Sequence, residues 1–177
     1  MAKEEILSSK LVYDGQAVRL KVDNIRLADG RETTRETVEH RDCVGIIPVD
    51  AEDNVLLVEQ FRHAPGKTLL EIPAGGIETG ESAEEAVRRE LREEIGYLPR
   101  KMEKLGGFYL APGYCTEYLH LFLATDLVPG QLYAEDTEEI KVVKVTVNQI
   151  SELIASGRIC DAKSIAGLLI FLKVRRT

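Results

Sequence analysis

Glu90, Glu93 and Glu94 stand at i, i+3 and i+4 in the segment EEAVRRELREEIGY. On an α-helix that spacing puts three carboxylates on one face. Like charges so placed repel by roughly 0.2–0.5 kcal/mol in water, and by more where they are partly buried. A hard divalent cation such as Mg²⁺ gives such a cluster a purpose, because it takes oxygen ligands and bridges substrate phosphates. The alternative is a solvated acidic face neutralised by Arg88, Arg89 and Arg92, with Arg89 and Glu93 as an i,i+4 pair. Spacing alone leaves both readings open. Gly75, Gly76 and Gly80, just upstream, favour the first. Glycine freedom lets a backbone carbonyl approach a metal, and a merely structural loop needs less of it.

The elements that must position these groups belong to a chain of 177 residues with a formal charge of −7, 44% hydrophobic and 30% charged. That is the size and composition of one soluble domain with an ordinary core, not of a disordered chain. No run of five basic residues occurs, so the electrostatic footprint of a nucleic-acid binder is missing. An acidic chain that binds a phosphorylated ligand needs cations or local arginines to do it. The longest apolar run, Ile165 to Leu172, is far short of the roughly 20 residues of a membrane helix. Cysteines at 43, 115 and 160 form no CxxC and no disulfide framework. With an N-terminus that lacks a signal-peptide stretch, they point to a cytoplasmic protein without structural zinc.

The first third reads as strands. Val18–Leu27 alternates, Asp29-Gly30 is a turn, and Thr33–His40 is a polar ribbon. Val44–Val49 is apolar throughout, with Pro48 marking a bulge or an early end. Asn54 returns the chain into a strand at Val55–Val58, and Pro73, Gly75, Gly76 and Gly80 then interrupt regular structure. Ser82 and Glu85 form a capping box, Ala83, Val87, Leu91 and Ile95 a stripe, and Gly96 a stop. Strands follow at Gly106–Tyr109, Tyr118–Ala124 and Ile140–Val147, and helices near 148–156 and 162–174, with Asp161 as an N-cap. The pattern is a mixed sheet with helices packed on it.

Residues 75–97 resemble the Nudix box, GX5EX7REUXEEXGU, where U is a bulky apolar residue. Gly75, Glu81, Arg89, Glu90, Leu91, Glu93, Glu94, Gly96 and Tyr97 fill its nine defined positions. The resemblance implies an α/β/α sandwich and metal-assisted attack of water on a diphosphate. It makes Glu90 and Glu94 the main metal ligands, with Glu93 in the same cluster and the Ala74 carbonyl as a further ligand. Arg89 becomes an orienter of carboxylates. Glu81 becomes an orienter between loop and helix, although any carboxylate is favoured at a helix N-terminus. Two or three Mg²⁺ ions, or Mn²⁺ in their place, are expected with substrate.

The flanks resemble the ADP-ribose pyrophosphatase branch of that family. The segment LVEQFRHAPGKTLLEIPAG carries its strand-end arginine at Arg62 and its Leu-Glu-Ile-Pro-Ala-Gly run. Pro112 lies 15 residues past Tyr97, and APGYCTE matches the branch's Ser-Pro-Gly-x-x-x-Glu loop, with Ala111 in place of the serine. Glu117 falls on the glutamate that serves as general base in several members, and without the resemblance it is an ordinary polar loop residue. Arg62 and Arg35 are expected at phosphate or terminal ribose, with surface salt bridges as the alternative. Glu36 could accept a hydrogen bond from adenine or ribose. Tyr13, Phe61 and Tyr109 are possible stacking platforms.

The histidines at 40, 63 and 120 make no metal-ligand set, and Glu135, Asp136, Glu138 and Glu139 read as a solvated acidic loop. The resemblance implies hydrolysis of ADP-ribose to AMP and ribose 5-phosphate. Alternatives are a broader nucleoside diphosphate-sugar substrate such as GDP-mannose, an oxidised nucleotide, NADH, or nucleotide binding without turnover. The last is disfavoured because every box carboxylate is present. Residues 1–40 are expected to form an N-terminal strand extension that mediates a homodimer sharing its nucleotide pocket, and residues 41–177 the Nudix domain. A ribbon of that kind has little to bury itself against on one small subunit.

Overall fold

The computed structural model describes residues 4–130 and 140–175. The acidic loop at Glu135, Asp136, Glu138 and Glu139 lies outside them. The chain divides into two compact units, Met1–Asp42 with Tyr109–Tyr118, and Cys43–Phe108 with Leu119–Thr177.

The first unit is an antiparallel sheet of β1 (Glu5–Asp14), β2 (Arg19–Arg26) and β3 (Glu32–Glu39), in that order. Gly30 closes the β2–β3 turn at φ 87°, a left-handed conformation suited to glycine. Residues 109–118 tie back to the end of β3. Val38 N–H donates to the Tyr114 carbonyl at 2.7 Å, and Thr116 N–H to the Val38 carbonyl at 3.0 Å.

The second unit contains β4 (Cys43–Pro48), β5 (Asn54–Arg62), β6 (Lys67–Glu71), β7 (Ala74–Gly76), α1 (Ala83–Ile95), β8 (Tyr97–Tyr109), β9 (Tyr118–Pro129) and β10 (Lys141–Thr146). A 3₁₀ turn, Val147–Gln149, leads into α2 (Ile150–Ala155), and α3 (Ala162–Val174) closes the chain. One sheet has the order β7-β4-β9-β8, with β4 parallel to β9 and antiparallel to β7. The other runs β10-β5-β6, all antiparallel. Helices cover both faces of β4. Val44 and Ile46 pack with Phe122 against Val87, Leu91 and Ile95 of α1. On the other face Gly45 leaves room for Leu119, and Gly167 brings α3 close to Leu121 and Ile72. Burying a side chain such as Leu91 contributes roughly 1.5–3 kcal/mol. The unit is therefore a mixed-sheet α/β/α sandwich, as the sequence pattern and the resemblance predict.

Two expectations are corrected. Regular structure does break at Ile72-Pro73 and again over residues 77–82, but Ala74, Gly75 and Gly76 between them pair with Gly45, Val44 and Cys43 as strand β7. Gly75 and Gly76 also do not serve by conformational freedom. Only Gly80 among the three has a positive φ, at 85°, and Gly75 serves by its lack of a side chain, as the site shows.

Candidate active site

Helix α1 begins as its sequence dictates. Ser82 Oγ accepts a hydrogen bond from Glu85 N–H and the Glu85 carboxylate accepts one from Ser82 N–H, while Gly96 caps the other end at φ 72°. This sets the rotation of the helix, with Val87 and Leu91 facing the sheet and Glu90 and Glu94 facing β7.

The two carboxylates meet neighbouring residues of β7. Glu94 Oε2 accepts a hydrogen bond from Ala74 N–H at 3.2 Å. The Glu90 carboxylate lies where a side chain on residue 75 would stand, since a Cβ built there falls 1.9 Å from Glu90 Oε1. Gly75→Ala is therefore expected to displace Glu90 and lower turnover at least tenfold, or about 1.4 kcal/mol, with little change in melting temperature. Unchanged kinetics of that variant would show that the close approach has no catalytic consequence.

Arg89 organises the surroundings. Its Nε and Nη2 each lie 2.9 Å from one oxygen of Glu81, Nη1 donates to Glu90 at 2.6 Å and Glu93 at 3.3 Å, and Nη2 also reaches the Gly76 carbonyl at 2.8 Å. The guanidinium holds Glu81 below the usual carboxylate range, and Glu81 in turn receives Glu78 N–H at 2.9 Å. Glu81 is thus an orienter tied into the loop.

Burial raises Glu90, with Arg89 opposing the shift. Burial, followed by the charge of Glu90, pushes Glu94 up to about 8. Four carboxylates thus outnumber the one guanidinium among them, leaving an excess of negative charge, and the donors are hard carboxylate oxygens. That set fits Mg²⁺ or Mn²⁺. The proton on Glu94 also sets a direction for stability. Between the ordinary value of 4.5 and about 8, the unfolded chain has lost this proton and the folded chain keeps it. Stability of metal-free protein should then fall as pH rises through that window. The expected readout is a melting temperature in EDTA that drops from pH 5 to 8 relative to Glu94→Gln, and recovers when Mg²⁺ binds the native state. A constant difference between the two proteins over that range would contradict it.

Arg62, at the end of β5, is also in this unit. Its Nε and Nη2 both lie 2.7 Å from Glu71 Oε2, leaving Nη1 for another partner. The buried Glu71 is held on its other oxygen by Lys163 at 2.7 Å, and Lys163 also meets Asp161 at 3.0 Å. Asp161 caps α3 as expected, accepting from Ser164 N–H. Arg62 and Lys163 both act electrostatically on Glu94. The sequence reading missed Glu71 and Lys163 as a pair, because they lie 92 residues apart. The only signals were the place of Glu71 in the Leu-Glu-Ile-Pro-Ala-Gly run and that of Lys163 in the first turn of the helix capped by Asp161.

The other predicted residues, Arg35, Glu36, Pro112 and Glu117, belong to the first unit. Arg35 and Glu36 are neighbours on β3, so their side chains leave opposite faces. Arg35 pairs with Glu4 at 2.8 Å. Pro112 lines a hollow of about 460 Å³ with Tyr109, Cys115 and Thr116. Tyr109, one of the three possible platforms, stands edge-on to Tyr118 with ring centres 5.0 Å apart. Glu117 is partly buried, and its Oε1 lies 3.9 Å from His40 Nδ1. The sequence reading gave His40 no such neighbour.

A NUDIX domain family model matches residues 39–168. The chain belongs to the Nudix hydrolase family. It is 34% identical over 164 residues to an ADP-ribose pyrophosphatase of Bacillus subtilis, an alignment covering 92% of this chain and 89% of the relative. It is 33% identical to a methanol dehydrogenase activator of Bacillus methanolicus, with the same coverage. A crystal structure of an ADP compounds hydrolase superposes with a TM-score of 0.92 at 22% identity, over 99% of this chain and 96% of that one. The fold is therefore the Nudix fold, and the sequence groups with the ADP-ribose pyrophosphatase branch. The catalytic class is that of the family, metal-dependent pyrophosphohydrolysis. Among the described residues no helix is long and apolar enough to cross a membrane.

Proposed function

We propose that this Nudix hydrolase cleaves the diphosphate of ADP-ribose to AMP and ribose 5-phosphate. The observation that carries the chemistry is the pair Glu90 and Glu94 set against Gly75 and Ala74. The substrate is supported by the B. subtilis relative's name together with the APGYCTE and LLEIPAG segments.

Glu90, Glu94, Glu93 and the Ala74 carbonyl would hold the Mg²⁺ or Mn²⁺ ions, two or three with substrate. Such ions neutralise a diphosphate and acidify water. Arg89 keeps Glu90 and Glu93 in place by ion pairs, pairs with Glu81 as well, and donates a hydrogen bond to the Gly76 carbonyl. Glu117 accepts the proton of the attacking water. Arg62 offers its remaining Nη1 to a phosphate oxygen while Glu71 fixes the rest of the fork. Arg35 and Glu36 contact the nucleoside, and Pro112 shapes its pocket beside Tyr109.

A wider range of nucleoside diphosphate sugars is the second reading. A relative of nearly the same similarity, 33% against 34% identical, carries a name that is not ADP-ribose pyrophosphatase, so similarity alone does not fix the substrate. Turnover of ADP-ribose, other ADP-sugars, GDP-mannose, NADH and oxidised nucleotides, with and without Mg²⁺, separates the two. ADP-ribose should give the highest kcat/KM and release AMP. A stronger preference for another substrate would overturn the assignment.

The protein acts in the cytoplasm as a homodimer paired through the first 40 residues, which contribute to a shared nucleotide pocket. Supporting this, β1 is exposed along its whole length and includes Ile6, Leu7, Leu11, Val12 and Tyr13. An edge strand of that composition favours pairing. Gel filtration should give a dimer at micromolar concentration, and a monomer would refute the pairing.

A further inference from the structure

Helix α1 borders a second concavity that the hydrolysis does not use. It has a volume of about 560 Å³ and lies within the second unit, between Glu84 and Arg88 of α1, residues 100–104 of β8, and β9 near Phe122. At 100° per residue, Glu84 and Arg88 lie roughly 120° around the helix from Glu90 and Glu94. The cavity and the carboxylates thus occupy different faces of one helix.

Its charge runs against that of the chain. Four cations and two carboxylates line it, in a protein of net charge −7. Lys101 is neutralised by Asp126 at 2.9 Å. Arg88, Arg100 and Lys104 have no ion pair among the described residues, although Lys144, Arg158 and Arg175 elsewhere in the unit all do. Arg88 is also anchored, because its Nη1 donates to the Pro99 carbonyl at 2.8 Å. That bond fixes the guanidinium and leaves its other donors available. Arg100, Met102 and Lys104 alternate onto one face of β8. Met102 packs on the core cluster, and Phe122 beside it is buried. The result is an apolar floor under a cationic rim, a place of positive potential on an acidic protein.

We propose that this cavity is a second ligand site that takes a phosphate monoester carrying an apolar or aromatic group. Arg88, Arg100 and Lys104 hold the phosphate, and Met102 receives the apolar part. The arginine fork matches phosphate oxygens. The volume falls within the roughly 300–1,000 Å³ of small-molecule pockets, which favours a small ligand over an acidic protein surface.

The chain has only two methionines, Met1 and Met102. Methyl-¹³C methionine labelling therefore gives a two-line NMR spectrum with one line in the cavity. Phenyl phosphate, titrated in EDTA at low salt to limit screening, should shift the Met102 line saturably with a Kd of about 1 mM or tighter. Met1 should stay still, and benzyl alcohol, an uncharged aryl compound of similar size, should leave Met102 unmoved. The exposed double variant R100E/K104E should weaken binding at least tenfold, and Glu94→Gln should not. A silent Met102, an equal response to benzyl alcohol, unchanged affinity in R100E/K104E, or loss of the shift in Glu94→Gln would each overturn the site.

Discussion

Glu94→Gln should lower turnover by about 10²-fold or more while the circular dichroism spectrum stays that of the native protein. The amide keeps the shape of the side chain and its oxygen can still accept from Ala74 N–H, so the fold loses little. What it loses is a charged oxygen donor where the diphosphate accumulates negative charge. The substitution also removes a group whose burial already makes its ionisation costly in the bare protein. Metal-free Glu94→Gln is accordingly expected to be no less stable than the parent at neutral pH. Activity and stability move apart at this position, as they do where a site is strained for function. Near-normal turnover at saturating Mg²⁺ would remove Glu94 from the ligand set.

Glu117→Gln is expected to cost about 10²–10⁴-fold, the usual loss when a general base is removed. The deficit should fall on kcat with KM little changed, because the residue acts on water and only weakly on substrate. Metal affinity should also change little, in contrast with Glu94→Gln. The competing assignment gives the proton transfer to Glu93. In that case Glu117→Gln would keep at least roughly a third of wild-type kcat, and Glu93→Gln would collapse it. Comparing the two variants at fixed saturating Mg²⁺, with folding checked, decides between them.

Much of this was legible in the sequence wherever the signal was local. The capping box at Ser82, the four-residue apolar stripe and Gly96 define α1 without outside help, and the alternation of Val18–Leu27 defines β2. Asp161 announced itself as a cap in the same way. What escaped depends on partners distant in the chain. Strand β7 contains two glycines next to a proline, which reads as a loop until Val44 stands opposite Gly75. The short β6 gave no periodicity to read. Among the glycines, backbone freedom accounts for Gly80 but not for Gly75. Backbone freedom was the local reading, whereas the Glu90 carboxylate occupying the missing Cβ position is a tertiary fact. The binding of Arg62 by Glu71, and of Glu71 by Lys163, is likewise invisible until β5, β6 and α3 are assembled.

Arg89 touches Glu81, Glu90, Glu93 and Gly76 at once. Four groups on one guanidinium do not behave as four independent contributions, because each bond holds the fork in place for the others. Glu81→Gln and Arg89→Met should therefore be strongly non-additive, with the double variant scarcely worse than the arginine variant alone. For sequence drift, this makes the four partners depend on Arg89 more than on one another. A change at Glu81 that Arg89 tolerates leaves the rest standing. A change at Arg89 releases every member together, and no single second substitution restores what one planar cation held.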